Sequence, residues 1–398
     1  LIAGEGEEHV MIADFKMDLD ALEDISTEEK DAMIAEASAL LEENFKPAYN
    51  KLIDYVTELE TIATDEAGVW KLPNGDDYYQ VALKRTTTTE YTPQEIFDIG
   101  MSEVERIHGE MEKIKEQVEF DGTLQEFFTF MQTDEQFYYP DTDEGRQAYL
   151  DANIELIDSM KARLDELFIT KPKAELVIKR VEEYRELSAG IAFYQGPAID
   201  GSRPGTYYAN LSNMENMPKY EMEALSYHEA IPGHHMQISI AQELEGLPRY
   251  RTQGTGYTSY SEGWGLYSEY IPKELGFYTD PYSDFGRLSM ELWRACRLVV
   301  DAGIHSKQWT REEGIAFYVE NTPAPEDDCI KMVERHIVMP SQATAYKIGM
   351  LKILELRKKA KDALADKFDI REFHEVVLTN GPVPLNVLEE LVDEMINQ

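Results

Sequence analysis

Three of the chain's eight histidines fall in one short segment, His228-Glu229-Ala230-Ile231-Pro232-Gly233-His234-His235. Histidine and glutamate side by side are the ingredients of zinc hydrolysis. Neutral imidazoles hold the ion, a carboxylate takes a proton from water, and one coordination position stays open. The familiar HExxH pattern sets its two histidines one helical turn apart. Here that second position is Pro232, and the next histidines come six and seven residues after His228. On a regular helix six residues rise about 9 Å and turn about 600°, so an i, i+6 pair cannot share an ion at bonds of about 2.0–2.1 Å. An i, i+7 pair shares a face but is separated by more than about 10 Å along the axis. A metal site therefore requires the helix to break between Ile231 and His234. Pro232 removes an amide donor and clashes with the carbonyl of residue 228, and Gly233 accepts unusual dihedrals. The competing reading, a helix that ends at Ile231 and carries surface histidines, explains the helix end but not the enrichment in His and Glu.

A third ligand is expected from a carboxylate on a following helix. Ser261-Glu262-Gly263-Trp264-Gly265-Leu266-Tyr267-Ser268-Glu269 offers two acids at i, i+7 on one face, among aromatic residues that exclude water. Glu262 stands at the helix start as the ligand candidate, while Glu269 is placed to orient a ligand histidine from behind. Two acids at a solvated helix edge is the plainer alternative.

The elements that must position these residues read mostly as helix. Apolar spacing marks helices over 26–61, with a kink at Pro47, over 92–118, and near 145–168, 218–231, 262–275, 285–306, 310–321, 326–338, 342–366, 369–379 and 384–397. Thr92-Pro93-Gln94-Glu95 has the residues of a capping box with proline in the first turn. Strand signal is confined to 175–180 and 205–211, the second bounded by Arg203-Pro204-Gly205 and Ser212-Asn213. The expected architecture is mainly α, a large helical body with a small β element lining the cleft. Residues 1–74 read as an N-terminal helical segment and 75–398 as the domain that carries the chemistry.

The 398 residues hold 38 Lys+Arg against 77 Asp+Glu, a net charge of −39, with 43% hydrophobic and 11% aromatic residues. That composition supports a packed core and argues against disorder. A charge of −39 repels phosphate backbones and anionic lipid surfaces, so no nucleic-acid partner is expected. No apolar run approaches the roughly 18 residues of a membrane span. Two cysteines, Cys296 and Cys329, are too few for a disulfide scaffold or a cysteine zinc knuckle. The chain opens on Leu1 rather than Met, which suggests a piece of a longer chain, with a periplasmic or cell-envelope location, as a lipoprotein, and a signal removed or outside this segment.

His228 to His235 and Glu262 to Glu269 carry a resemblance to a bacterial family of unknown function with the motifs HEAxPGHH and EGWxLYxE. That family is regarded as related to the gluzincin zinc metallopeptidases. The Glu262-Gly263-Trp264 segment is similar to the N-E-G-F segment of gluzincin aminopeptidases, and dipeptidyl peptidase III tolerates a comparable insertion between its two histidines. The resemblance spans nearly all of 75–398. It includes Tyr78-Tyr79, Thr87-Thr88, Arg203 to Asn210, Arg294 to Asp301 with Gly303-Ile304-His305, and Gln342 to Gly349. Two departures stand out: Arg335-His336 where the family has Arg-Tyr, and Pro340-Ser341-Gln342 where it has Pro-Gly-Gln. The resemblance places the second ligand directly after Pro-Gly, at His234, where spacing alone leaves His234 and His235 both open.

Hydrolysis also needs donors for the oxyanion that forms when water attacks a carbonyl. Tyr346 is the first choice, next to Gln342 at i, i+4, and His305 the second, paired at i, i+4 with Asp301. Arg294 and Arg297 are candidates to anchor a substrate carboxylate, with an Arg297–Asp301 ion pair as the alternative. The combined expectation is one zinc ion held by His228, His234 and Glu262, with Glu229 as base. The substrate is a peptide or small amide, its backbone added beside the strand near Tyr207-Asn210. A hydrolase of non-peptide amides or esters, and an inactive peptide-binding relative, are the alternatives. Neither endo- or exo-action nor oligomeric state is legible.

Overall fold

A computed structural model describes residues 2–254 and 256–398; Leu1, on which the expectation of an upstream segment rests, lies outside them. The chain forms two compact units, Leu1–Asp65 and Glu66–Gln398. The smaller unit holds α1 (Val10–Asp20), α2 (Thr27–Leu40) and α3 (Lys46–Glu60), and its small core of Ile12, Leu19, Ile34 and Leu41 comes from α1, α2 and the turn that follows α2. Ser26 and Glu29 close a capping box on α2. Between α2 and α3 the chain stays helical through a π turn at Leu41–Phe45, so Pro47 falls in the first turn of α3 and widens the ladder rather than breaking it.

The larger unit contains α4 (Gly75–Thr87), α5 (Pro93–Gln117), α6 (Leu124–Thr133), α7 (Asp143–Lys161), α8 (Lys219–Glu229), α9 (His234–Glu243), α10 (Thr258–Glu274), α11 (Pro281–Ser306), α12 (Arg311–Asn321), α13 (Glu326–Val338), α14 (Ala345–Leu364), α15 (Ile370–Thr379) and α16 (Leu385–Ile396). The expectation of a mainly helical protein with a small β element holds. The Thr92–Glu95 capping box forms as expected. Helices α1, α4, α6 and α9 are additions to the sequence reading; α1 has little apolar periodicity, while α9 follows directly on Pro-Gly.

The sheet has three strands in the order β1-β3-β2, with β1 (Leu176–Arg180), β2 (Ala192–Gln195) and β3 (Gly205–Ala209). β1 runs parallel to β3 and β2 antiparallel to it, with Tyr194 opposite Tyr207. This corrects the expectation that the strand near Tyr207 adds a substrate as an edge strand. β3 is central, paired on both sides and buried at every residue, so it has no free ladder to offer.

Helix α8 lies in the core, buried from Met222 to Glu229. Around it pack α7, α10 and α11. A buried charge network holds α14 beside α11 and α5: Lys347 Nζ is 2.5 Å from Glu291 Oε1 and 2.7 Å from Glu103 Oε2, and Arg106 and Arg287 also pair with Glu291.

Candidate metal centre

Helix α8 ends at Glu229. Ala230 (φ −103°, ψ −106°) and Gly233 (φ −79°, ψ −128°) leave the helical region, and α9 starts afresh at His234. The break that the His228–His234 spacing demands is present. A Cβ on Gly233 would stand 1.9 Å from the His228 carbonyl oxygen, so only glycine fits the turn. Trp264 of α10 donates its indole N–H to the Pro232 carbonyl at 2.9 Å and ties the next helix to the break.

With the chain folded back, His228 Nε2 and His234 Nε2 each lie 3.5 Å from Glu262 Oε2. The two rings meet edge to face with centroids 4.7 Å apart. One ligand atom from each of the three residues falls within 4.8 Å of the others, and no second such cluster occurs among the described residues. A tetrahedral ion with bonds of about 2.0–2.2 Å has ligand–ligand edges of about 3.3–3.6 Å. The two imidazole–carboxylate separations match that edge. Neutral nitrogen donors with one carboxylate are also the donor set that zinc takes in hydrolytic sites.

His228 Nδ1 lies 2.7 Å from Glu269 Oε1. A proton on Nδ1 donated to that carboxylate leaves the Nε2 lone pair facing His234 and Glu262, the orientation a ligand histidine needs. Without an ion, burial opposes a charge on His228, but Glu262 and Glu269 outweigh it and raise its pKa to about 10. Burial likewise opposes ionisation of Glu262, and the two histidines overcome it and hold its carboxyl well below the usual range. His234 has no orienting acceptor: its Nδ1 is enclosed without a partner. His235 points elsewhere, its Nδ1 2.9 Å from the Tyr194 hydroxyl on β2.

Helix α10 approaches this closely because of its glycines. A Cβ on Gly265 would come 2.7 Å from His228 Cε1 and 2.9 Å from Nε2, so glycine there makes room for the imidazole. At Gly263 a Cβ would meet Gly349 Cα of α14 at 2.5 Å. Tyr346 stands on α14 three residues before that crossing.

Glu229 is buried, with 8% of its surface exposed, yet its side chain has no hydrogen bond or ion pair among the described residues. Buried carboxylates are otherwise nearly always paired. Tyr207 on β3, which the sequence offered only as part of a strand, is fully enclosed, with its hydroxyl beside Tyr149 and Ser226. Burial, then Tyr149 and Glu229, keep that hydroxyl protonated far above neutral pH. No spacing rule connects Tyr207 on β3 to Glu229 on α8, because only the tertiary fold brings them together.

The donor pairs read from helical spacing do not form. His305 is fully buried, accepts from the Val69 amide at 3.2 Å and lies 2.9 Å from the His336 carbonyl. Both ring nitrogens are thus held by backbone, and burial lowers its pKa to about 4. Asp301 instead accepts from the Tyr79 hydroxyl at 2.5 Å and the Ser341 amide at 3.0 Å. His336 is buried with Nε2 2.8 Å from the Tyr318 hydroxyl, a packing position. Arg297 does not pair with Asp301; its guanidinium lies 4.6 Å over the Tyr346 ring.

Residues 3–392 match the model of a family described as bacterial proteins of unknown function, DUF885, and the chain belongs to that family. Among solved structures it is similar to a "putative lipoprotein" from Colwellia psychrerythraea, at 39% identity and a TM-score of 0.96, covering 99% of this chain and 68% of that one. A second structure carrying the same description, from Shewanella oneidensis and of unknown function, shares the fold at 19% identity and a TM-score of 0.72, covering 95% of this chain and 69% of that one. Among curated proteins no sequence matches. No helix among the described residues is long and apolar enough to cross a membrane.

Proposed function

We propose that this protein is a zinc-dependent hydrolase acting on peptide bonds, with one ion held by His228, His234 and Glu262. The observation that carries the reading is the pairing of two features. Two histidine Nε2 atoms stand 3.5 Å from one carboxylate oxygen, and the unpartnered carboxylate of Glu229 directly follows the first of those histidines. When bound, the ion supplies Lewis acidity, which acidifies water and polarises a carbonyl. Glu229, free of protein partners, takes the proton from the attacking water and returns it to the leaving amine. Tyr346 supplies a hydroxyl donor for the developing oxyanion. Glu269 fixes the His228 tautomer. The naming of two similar structures as lipoproteins supports a cell-envelope location for this chain as well.

The test is Glu229→Gln, which keeps shape but accepts no proton. Turnover of peptides cleaved by the parent should fall by about 10²–10⁴-fold, with zinc content unchanged. Full activity in the variant rejects Glu229 as base, and loss of zinc makes it a ligand.

A further inference from the structure

The chain has about twice as many acids as bases, 77 against 38, so an arginine without a carboxylate is conspicuous. Arg287 and Lys347 pair with Glu291 in the core, and the exposed Arg106 reaches the same carboxylate. Arg297 has no carboxylate within ion-pair distance among the described residues, because Asp301, its i+4 neighbour, is taken by Tyr79 and Ser341. Its Nε is enclosed and unpartnered. The rest of this half-buried guanidinium has the Tyr346 side chain as its neighbour and no anion. One turn earlier Arg294 shares the unpartnered Nε but has one distant carboxylate. Its Nη1 donates to the Met290 carbonyl at 3.1 Å, its Nη2 stands 3.8 Å from Glu269 Oε1, and its Nε too is enclosed without a partner.

Two adjacent guanidiniums with unsatisfied donors carry an electrostatic cost. Burial and then the charge of Arg294 lower the pKa of Arg297 against the opposing Tyr346 hydroxyl, the direction expected for a cation lacking its anion. Their place is defined from two sides. Arg294 reaches Glu269, which holds His228, and Arg297 lies over Tyr346, one turn from the α10–α14 crossing beside Glu262.

We infer that Arg297 and Arg294 form a carboxylate-recognition site next to the metal trio, so that the substrate is a peptide presenting a carboxylate close to the bond to be cleaved. The planar guanidinium fork takes a carboxylate through paired N–H donors. The shared chemistry admits two sources, a peptide C-terminus or an acidic side chain. The inference rests on the hydrolase reading for the scissile bond, but carboxylate recognition itself is read without turnover.

Calorimetric titration of the full chain carrying Glu229→Gln, with zinc content measured beforehand, tests it with four probes. These are N-acetyl-trialanine, its C-terminal amide, and N-acetyl-Ala-Glu-Ala-amide with its Gln counterpart. The acid should bind at least about 10-fold tighter than its neutral partner, in the first pair if the C-terminus is recognised and in the second if the side chain is. Adding Arg297→Gln should abolish that preference, and Arg297→Lys, which keeps the charge without the fork, should restore part of it. Zinc content should not change in either. Equal binding of acid and neutral probes, or no binding of any, overturns the inference. So does a preference that survives Arg297→Gln, which would place the carboxylate on the metal. Normal turnover in Glu229→Gln with the acid preference intact would instead sink only the role given to Glu229.

Discussion

Gly265→Ala should empty the metal site while leaving the helical body folded. The new methyl would stand 2.7 Å from His228 Cε1 and 2.9 Å from Nε2. Favourable carbon contacts begin at about 3.5 Å, so the imidazole must retreat by about 0.6–0.8 Å. Workable metal–ligand distances hold only within about 0.2 Å, so Nε2 would leave coordination range. The same retreat breaks the 2.7 Å contact from Nδ1 to Glu269. Loss of an outer-shell partner alone costs about 10–100-fold in metal affinity, and here a ligand goes with it, so a fall of at least about 100-fold is expected. The helix itself gains up to about 1 kcal/mol from alanine over glycine, against about 1–3 kcal/mol for overpacking. Metal-free stability should therefore change by no more than about 2 kcal/mol. Competition against a chromophoric chelator reads the affinity, and urea unfolding of metal-free protein reads the stability. A variant that binds zinc as tightly as the parent would refute the placement of the His228 ring against α10. One that is unfolded without metal would move the effect from the site to the packing.

Glu269→Gln should weaken zinc by about 10–100-fold at near-parental stability, and unchanged affinity in the chelator competition would remove Glu269 from the site. His234→Ala should largely abolish zinc binding. His235→Ala should leave the metal content parental and cost about 0.5–1.5 kcal/mol through the lost bond to the Tyr194 hydroxyl, which keeps Ser239 as a neighbour; metal analysis with thermal melting separates the two, and the reverse result would exchange the ligand assignment. Burial raises the pKa of Asp301 from 3.8 to about 7, against the opposing bonds from Tyr79 and Ser341. Its contribution to stability is thus fully present below about pH 4 and lost as the pH rises through about 7, a change of up to about 4 kcal/mol. Asp301→Asn cannot ionise, so its stability–pH curve should lack that fall, and parallel curves for parent and variant in urea unfolding of metal-free protein would reject it.

The site's skeleton was legible because it rests on local spacing. Pro232-Gly233 between two histidines six apart implies a broken helix, and the structure has one. Glu262 and Glu269 on one helical face predict one acid toward the trio and one behind it, and the structure sets both on His228. Spacing failed where a shared helical face does not mean a shared environment. Asp301 and His305 are i, i+4 on α11, yet each is taken by a partner from another segment, Tyr79 and Val69 among them. The same applies to Tyr207, whose hydroxyl comes near Glu229 only once β3 is enclosed between β1 and β2. Periodicity located the strand but could not tell a central one from an edge.

The central claim is that His228, His234 and Glu262 hold one metal ion. Anomalous diffraction at the zinc edge, from crystals equilibrated with zinc, addresses it most directly. The account predicts one strong peak at about 2.0–2.2 Å from His228 Nε2, His234 Nε2 and a Glu262 carboxylate oxygen. A peak ligated by other residues, or no peak between these three, would contradict it.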